Sequence, residues 1–124
     1  MNTLQSYLNK KHLNSAQKTI EVKRGNIYWM NFDSTVGTEI YKIRPALIIL
    51  VSEAQVIALP ITSNTKENKK WQLVVLNLVK NKDGKILLDQ IRVFDKQRLL
   101  RKIGEIKPEE MNKVNRLLKK MLLI

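Results

Sequence analysis

The sequence predicts a mostly β domain, a small curled sheet or barrel closed by a single C-terminal helix. Three observations lead there. Short alternating or continuous apolar runs recur between residues 22 and 103, separated by turn-forming residues. Residues 108–122 carry apolar side chains at helical spacing instead. The chain has 124 residues, enough for one domain around one core and too few for two.

The elements follow in order. In residues 1–21, Leu4, Leu8 and the pair Leu13 and Ala16 recur at three- to five-residue steps. That spacing fits a short amphipathic helix, and it fits equally a terminal arm that frays. From Val22 the pattern turns to β. Ile27, Trp29 and Asn31 alternate against Tyr28, Met30 and Phe32, so both faces of this strand are partly covered. Residues 46–51 are continuously apolar, as expected of a central strand buried on both sides. Residues 55–61 supply another strand, with Pro60 leaving a ladder gap near its end. Residues 71–76 and 85–88 read as a hairpin across 81–84, where Asp83-Gly84 is a turn signal. Residues 91–94 and 99–103 add two short strands. Pro108, Glu109 and Glu110 then open a helix, since proline suits the first turn and acids favour the positive dipole end. Its apolar face is Met111, Val114, Leu117, Leu118, Met121 and Leu122.

Charge narrows the partners. Lys and Arg number 23 against 11 Asp and Glu, a formal net charge of +12. Such an excess fits a polyanion, whether RNA, DNA, an anionic membrane or an acidic protein, and a Lys-rich solvated surface produces the same figure. The absence of cysteine excludes disulfides and thiolate chemistry. The longest apolar run, residues 45–51, is far short of a bilayer span, and residues 1–21 lack the apolar region of a secretory signal. A cytoplasmic protein is expected.

Much familiar chemistry is missing. His12 is the only histidine, the four glycines are scattered singly, and the acidic residues are dispersed. A two-histidine acid–base pair, a phosphate-cradling glycine loop and a carboxylate two-metal site are therefore not expected, nor is a cofactor. A hydrolytic site must rely on arginine, hydroxyls and at most one carboxylate. Two loops offer those groups. In residues 33–45, Arg44 precedes Pro45, which holds it extended at the mouth of the apolar strand. Its guanidinium could hold a phosphate bidentately, or simply pair with Glu39. In residues 60–65, hydroxyls follow a strand directly. Thr62 is the best placed of them, although such residues are ordinarily turn formers.

Several segments, in order, resemble the MazF/PemK toxin family. Lys23-Arg24-Gly25-Asn26-Ile27-Tyr28-Trp29 is similar to the family's opening strand, and Gly37-Thr38-Glu39 leads to Arg44-Pro45 at the family's loop spacing. Pro60-Ile61-Thr62-Ser63 and Leu87-Leu88-Asp89-Gln90-Ile91-Arg92 resemble two further family motifs. The likeness covers residues 22–124, leaving 1–21 as an extension outside the toxin-like domain. It implies an SH3-like barrel, a homodimer, and an endoribonuclease acting on single-stranded mRNA at short sequences. In this family the RNA's own 2′-OH attacks the adjacent phosphorus, leaving a 2′,3′-cyclic phosphate and a 5′-OH, so no metal or cofactor is required.

The resemblance assigns roles by position. Arg44 matches the arginine that stabilises the phosphorane, and Thr62 matches the hydroxyl that hydrogen-bonds the scissile phosphate. Thr38 and Glu39 complete the catalytic set. The chain departs from some relatives in having Thr38 and Leu87 where they have His and Arg, so the arginine–threonine scheme is the one carried over. Ser34, Ile40 and Lys42 also depart from the usual loop, which bears on the RNA sequence recognised more than on cleavage. Asp89 is either a base or a strand-end acceptor.

Loops 33–43, 61–70 and 77–85 would select RNA. The expected contacts are Lys42, Ser63, Asn64, Lys66, Lys69, Lys70 and Gln90, with Lys80, Lys82 and Lys85 also able to track phosphates. Tyr41 or Trp71 could stack a base, Trp71 being better suited to packing. The resemblance further implies an acidic antitoxin, to which a +12 surface is suited. An alternative on the same barrel is a non-catalytic nucleic-acid binder or a gyrase-inhibiting toxin of the CcdB kind.

Overall fold

A computed structural model of the chain describes residues 21–32 and 43–123. The expected N-terminal helix or arm lies outside the described residues. The elements are β1 (Asn26–Asn31), β2 (Ile43–Val51), β3 (Gln55–Thr62), β4 (Gln72–Val79), β5 (Lys82–Leu87), β6 (Arg92–Asp95), β7 (Leu99–Glu105) and helix α1 (Pro108–Leu122). Short 3-10 turns at Leu88–Gln90 and Lys96–Arg98 flank β6. The strands form one curled antiparallel sheet in the order β4-β5-β3-β2-β1-β7, with β6 also paired to β3. The mostly β fold with a C-terminal helix is as the sequence predicts. No helix among the described residues is long and apolar enough to cross a membrane.

Strand β3 organises the sheet because it has different partners along one edge. Its first half, Gln55 to Ala58, pairs with β6, and its last two residues, Ile61 and Thr62, pair with β5. Pro60 falls between the two partners, where its missing N–H costs no ladder bond to either. The other edge pairs with β2 as far as Ala46 and Pro60.

Period-two alternation gives the central strands two buried faces. Ile27, Leu47, Leu59, Ile61 and Ile86 point to one side, where Val114 and Leu118 of α1 cover them. Tyr28, Met30, Ala46, Ile48, Val56, Ala58 and Phe94 form the other core. Phe32 meets Phe94 edge-on there, with centroids 5.0 Å apart. The expectation that 46–51 is buried throughout needs correction at Leu50. The β2–β3 register passes from Ile48–Ala58 to Leu50–Ile57, so Ile49 is an extra residue in a bulge. Ile49 enters the helix-side core, and Leu50 comes into line with Ile57 and, across β6, Val93. Leu50 is 52% exposed and Val93 55% exposed.

Helix α1 opens with Pro108 and two glutamates and ends with Lys119 and Lys120, matching the dipole at both ends. Val114 and Leu118 are buried, and Met111, Leu117 and Met121 pack partly against the same core; Leu122, expected on the apolar face, is exposed. Two backbone bonds brace the start of β1. The Gly25 N–H donates to the Ile48 carbonyl at 2.8 Å, and the Ile106 N–H donates to the Gly25 carbonyl at 2.9 Å. Gly25 has φ 93°, a conformation that favours glycine. Arg24 donates to the Ile49 carbonyl at 3.2 Å and to Asn115 Oδ1, fastening helix to sheet.

The β4–β5 hairpin corrects the expected turn. Lys80 and Asn81 have φ 49° and 65°, so they form the two-residue turn between the paired Val79 and Lys82. Asp83 and Gly84 lie in β5 instead. A Cβ at Gly84 would come within 2.9 Å of Ile61 Cγ2 and 3.1 Å of Leu78 Cδ2. Glycine is needed there for close packing, and Asn81 tolerates the left-handed turn without it. The pairing jumps from Val75–Gly84 to Val79–Lys82, so β4 bulges at 76–78. Asn77 takes φ 54° in the bulge, and its N–H donates to Asp83 Oδ1 at 2.9 Å.

Candidate nucleic-acid groove

The β2 start, the β3 end and the β4–β5 tip converge on a groove of about 460 Å³. Ile43, Arg44 and Pro45 line it from β2, and Ile61, Thr62 and Ser63 from β3. Trp29 of β1 forms part of the wall, and the hairpin adds Val79, Lys80, Lys82, Asp83 and Gly84. Strand direction explains the meeting of Arg44 and Thr62. In the antiparallel pair β2–β3 the last partners are Ala46 and Pro60, and each functional residue lies two positions beyond, at the same end of the sheet. Ladder bonds fix both backbones from outside that pair: Arg44 is opposite Met30 on β1, and Thr62 is opposite Lys85 on β5.

Thr62 is half-buried, and its Oγ1 accepts the Asn64 N–H at 3.2 Å. That bond uses a lone pair and leaves the hydroxyl proton to donate elsewhere. Asn64 Oδ1 in turn accepts the Lys66 N–H at 3.2 Å, so side-chain acceptors wind the loop after β3. Arg44 is exposed. Its guanidinium, with the Lys80 and Lys82 ammonium groups, puts three cations around the groove. The Asp83 carboxylate is the acid among the lining residues, and the Asn77 N–H already engages it.

Of the site residues expected from sequence, Arg44, Thr62 and Ser63 come together in the groove. Thr38, Glu39 and Lys42 lie outside the described residues, as does Tyr41. Asn64, Lys66, Lys69 and Lys70 are exposed or wind the loop beyond Ser63 and do not line the groove. The Lys70 ammonium lies 5.0 Å from the centre of the Trp71 ring, and Trp71 packs partly against the helix-side core. Gln90 and Asp89 are exposed on the 3-10 turn after β5, away from the lining residues. Lys85 is a correction: it is buried and its ammonium donates to the Glu67 carbonyl, so it does not track phosphates at the surface. Trp29 and Asp83 also line the groove, although their sequence contexts do not mark them for it. Trp29 read as one face of a half-covered strand and Asp83 as a turn residue, and no pattern along the chain signals that both flank one cavity.

A family description, PemK-like, MazF-like toxin of type II toxin–antitoxin system, matches residues 23–122. The chain belongs to this toxin family. It is 35% identical over 103 residues to Endoribonuclease EndoA of Bacillus subtilis, covering 76% of the chain and 88% of that relative. Endoribonuclease MazF of Staphylococcus saprophyticus is 32% identical over 102 residues, covering 76% of the chain and 85% of the relative. Among solved structures, a Deinococcus radiodurans MazE–MazF structure superposes with a TM-score of 0.70 at 23% identity, spanning 83% of the chain and 96% of the neighbour. It establishes likeness of fold. An endoribonuclease from a mycobacterial species, solved in complex with its cognate antitoxin, gives a TM-score of 0.66 at 25% identity, with 84% and 97% covered. The groove of this toxin thus lies within the matched region.

Proposed function

We propose that the toxin is an endoribonuclease that cuts single-stranded mRNA by promoting attack of a ribose 2′-OH on the neighbouring phosphorus. The convergence of Arg44 and Thr62 on one groove carries this reading. As the P–O2′ bond forms and the P–O5′ bond breaks, charge grows on the non-bridging oxygens. The Arg44 guanidinium offsets that charge, and the Thr62 hydroxyl donates a hydrogen bond that orients the phosphate. The products are a 2′,3′-cyclic phosphate and a 5′-OH. Thr38 and Glu39 complete the set by family likeness. Lys80 and Lys82 sit where flanking phosphates would lie, and Trp29 offers a ring face to a base. The names of the two curated relatives, both endoribonucleases, support the activity.

The same reading places residues 22–124 as the toxin domain, acting in the cytoplasm where mRNA is found. An antitoxin partner is supported by the mycobacterial neighbour solved with its cognate antitoxin, and an acidic one would compete for the basic groove. We assign the homodimer contact to the row Leu50, Ile57 and Val93 across three neighbouring strands, in which Leu50 and Val93 are exposed and Ile57 between them is half-buried against the helix-side core.

The test is incubation with a long single-stranded RNA in EDTA, followed by mapping of the ends. Cuts at a recurring short sequence with cyclic phosphate termini are expected, and the DNA of the same sequence should stay whole. Arg44→Ala should keep its circular dichroism spectrum and lose about 10²–10³ in cleavage rate. Intact RNA, equal cutting of DNA, or full activity in that variant would each overturn the proposal, the first in favour of a non-catalytic binder.

A further inference from the structure

Lys85 is a core lysine with an unusual position. It is 7% exposed, and lysine is seldom so buried unless its ammonium is engaged. Nζ donates to the backbone carbonyl of Glu67, in the segment joining β3 to β4. Lys85 is also the ladder partner of Thr62, and directly opposed residues project to the same face of a sheet. The side chain therefore starts beside Thr62 and ends on the loop backbone five residues further along. Between those points the loop's own bonds are local, from Asn64 N–H to Thr62 Oγ1 and from Lys66 N–H to Asn64 Oδ1. Lys85 does not line the groove, and its ammonium is engaged by the Glu67 carbonyl.

We propose that Lys85 is a positioning residue for RNA cleavage: by tethering the Glu67 carbonyl to β5 it holds residues 63–67 wound against Thr62, and so aims the Thr62 hydroxyl into the groove. This rests on the cleavage reading above. The physical reason is the weakness of the alternative. A loop held by two local side-chain turns exchanges readily with water, and each opening releases the Asn64 N–H that orients Oγ1. A charge-assisted bond anchored in the core closes that route. A misplacement of about 1 Å at a reacting group costs on the order of a hundredfold in rate, so a tether that never touches substrate can still govern the chemical step.

The experiment compares the native protein with Lys85→Met, which keeps the length of the stem and lacks the donor, and with Lys85→Arg, which restores one. Single-turnover cleavage is measured on a short RNA containing a mapped cut site. Affinity is measured on the same RNA carrying one 2′-deoxyribose at that site. Hydrogen exchange follows the Asn64 and Lys66 amides. Lys85→Met should cleave about a hundredfold more slowly while binding within about threefold of native, with both amides exchanging faster. Lys85→Arg should recover most of the rate. If Lys85→Met cuts at the native rate, or loses binding with its single-turnover rate unchanged, the positioning role is wrong. Should thermal melting show that Lys85→Met does not fold, Lys85→Gln takes its place; native cleavage with freely exchanging loop amides there rejects the tether. Uncut RNA with the native protein rejects the cleavage reading itself, whereas native cutting with an unaffected variant rejects the Lys85 role alone.

Discussion

The hydroxyl of Thr62 and that of Tyr28 show how one functional group takes opposite characters. Thr62 accepts a backbone N–H and keeps its proton for a ligand at the groove. Tyr28 is buried in the second core, and its hydroxyl has no hydrogen-bond partner among the described residues. Burial raises its pKa above the ordinary value, with Lys102 pulling in the other direction. The folded state therefore holds the phenol proton more tightly than the unfolded chain does. The stability due to that preference is complete below about pH 10, the unfolded value, and disappears as pH rises through the folded pKa. Tyr28→Phe should flatten this alkaline loss. Near neutrality it should leave stability unchanged or raise it by about 1 kcal/mol, since an orphaned buried hydroxyl is removed. Urea titrations of both proteins at neutral and alkaline pH measure the difference; equal alkaline slopes would contradict the assignment. At this scale, Arg44 stands out in the sequence because it directly precedes Pro45 at the mouth of an apolar run, and Thr62 because its hydroxyl directly follows one. The sequence could not rank the lysines, since Lys66, Lys80 and Lys85 look alike until the sheet buries one of them.

Among elements, the hairpin of β4 and β5 does most to shape the groove. Asp-Gly is a strong local turn signal, yet the chain turns three residues earlier, at Lys80 and Asn81. The competing demand is tertiary: the Gly84 backbone packs against Ile61 and Leu78, where no Cβ fits. Gly84→Ala should thus destabilise the protein by about 1–3 kcal/mol through overpacking, measured by urea denaturation. A neutral result would mean that Leu78 simply moves aside. Other elements were readable where the local pattern and the packing agree. Helix α1 starts at Pro108 as expected because proline and paired acids suit a helix start whatever lies beneath it. Pro60 likewise marks a real gap, between β6 and β5, in the pairing of β3. The bulge at Ile49 left no mark, because an uninterrupted apolar run looks the same with or without one extra residue.

For the whole molecule, that bulge matters most at the surface. It aligns Leu50 with Ile57 and Val93, and we assign the dimer contact to this stripe. Leu50→Glu with Val93→Glu should leave the monomer folded, because both side chains are over half exposed, and should shift sedimentation from dimer to monomer. A native sedimentation coefficient in the double variant would move the contact elsewhere. The +12 charge acts at the same scale: on the proposed reading it would favour RNA and an acidic antitoxin alike.

The sequence by itself determined the strand content, the closing helix, the basic character and the arginine–threonine pair. Each of these depends on properties read along the chain: period, composition and neighbouring residue types. Tertiary structure decided which strand ends and turns share a cavity, that Trp29 and Asp83 flank it, and that Lys85 is buried opposite Thr62 and does not line it. Those outcomes depend on which strand ends meet when the sheet curls, a matter of register between residues far apart in sequence.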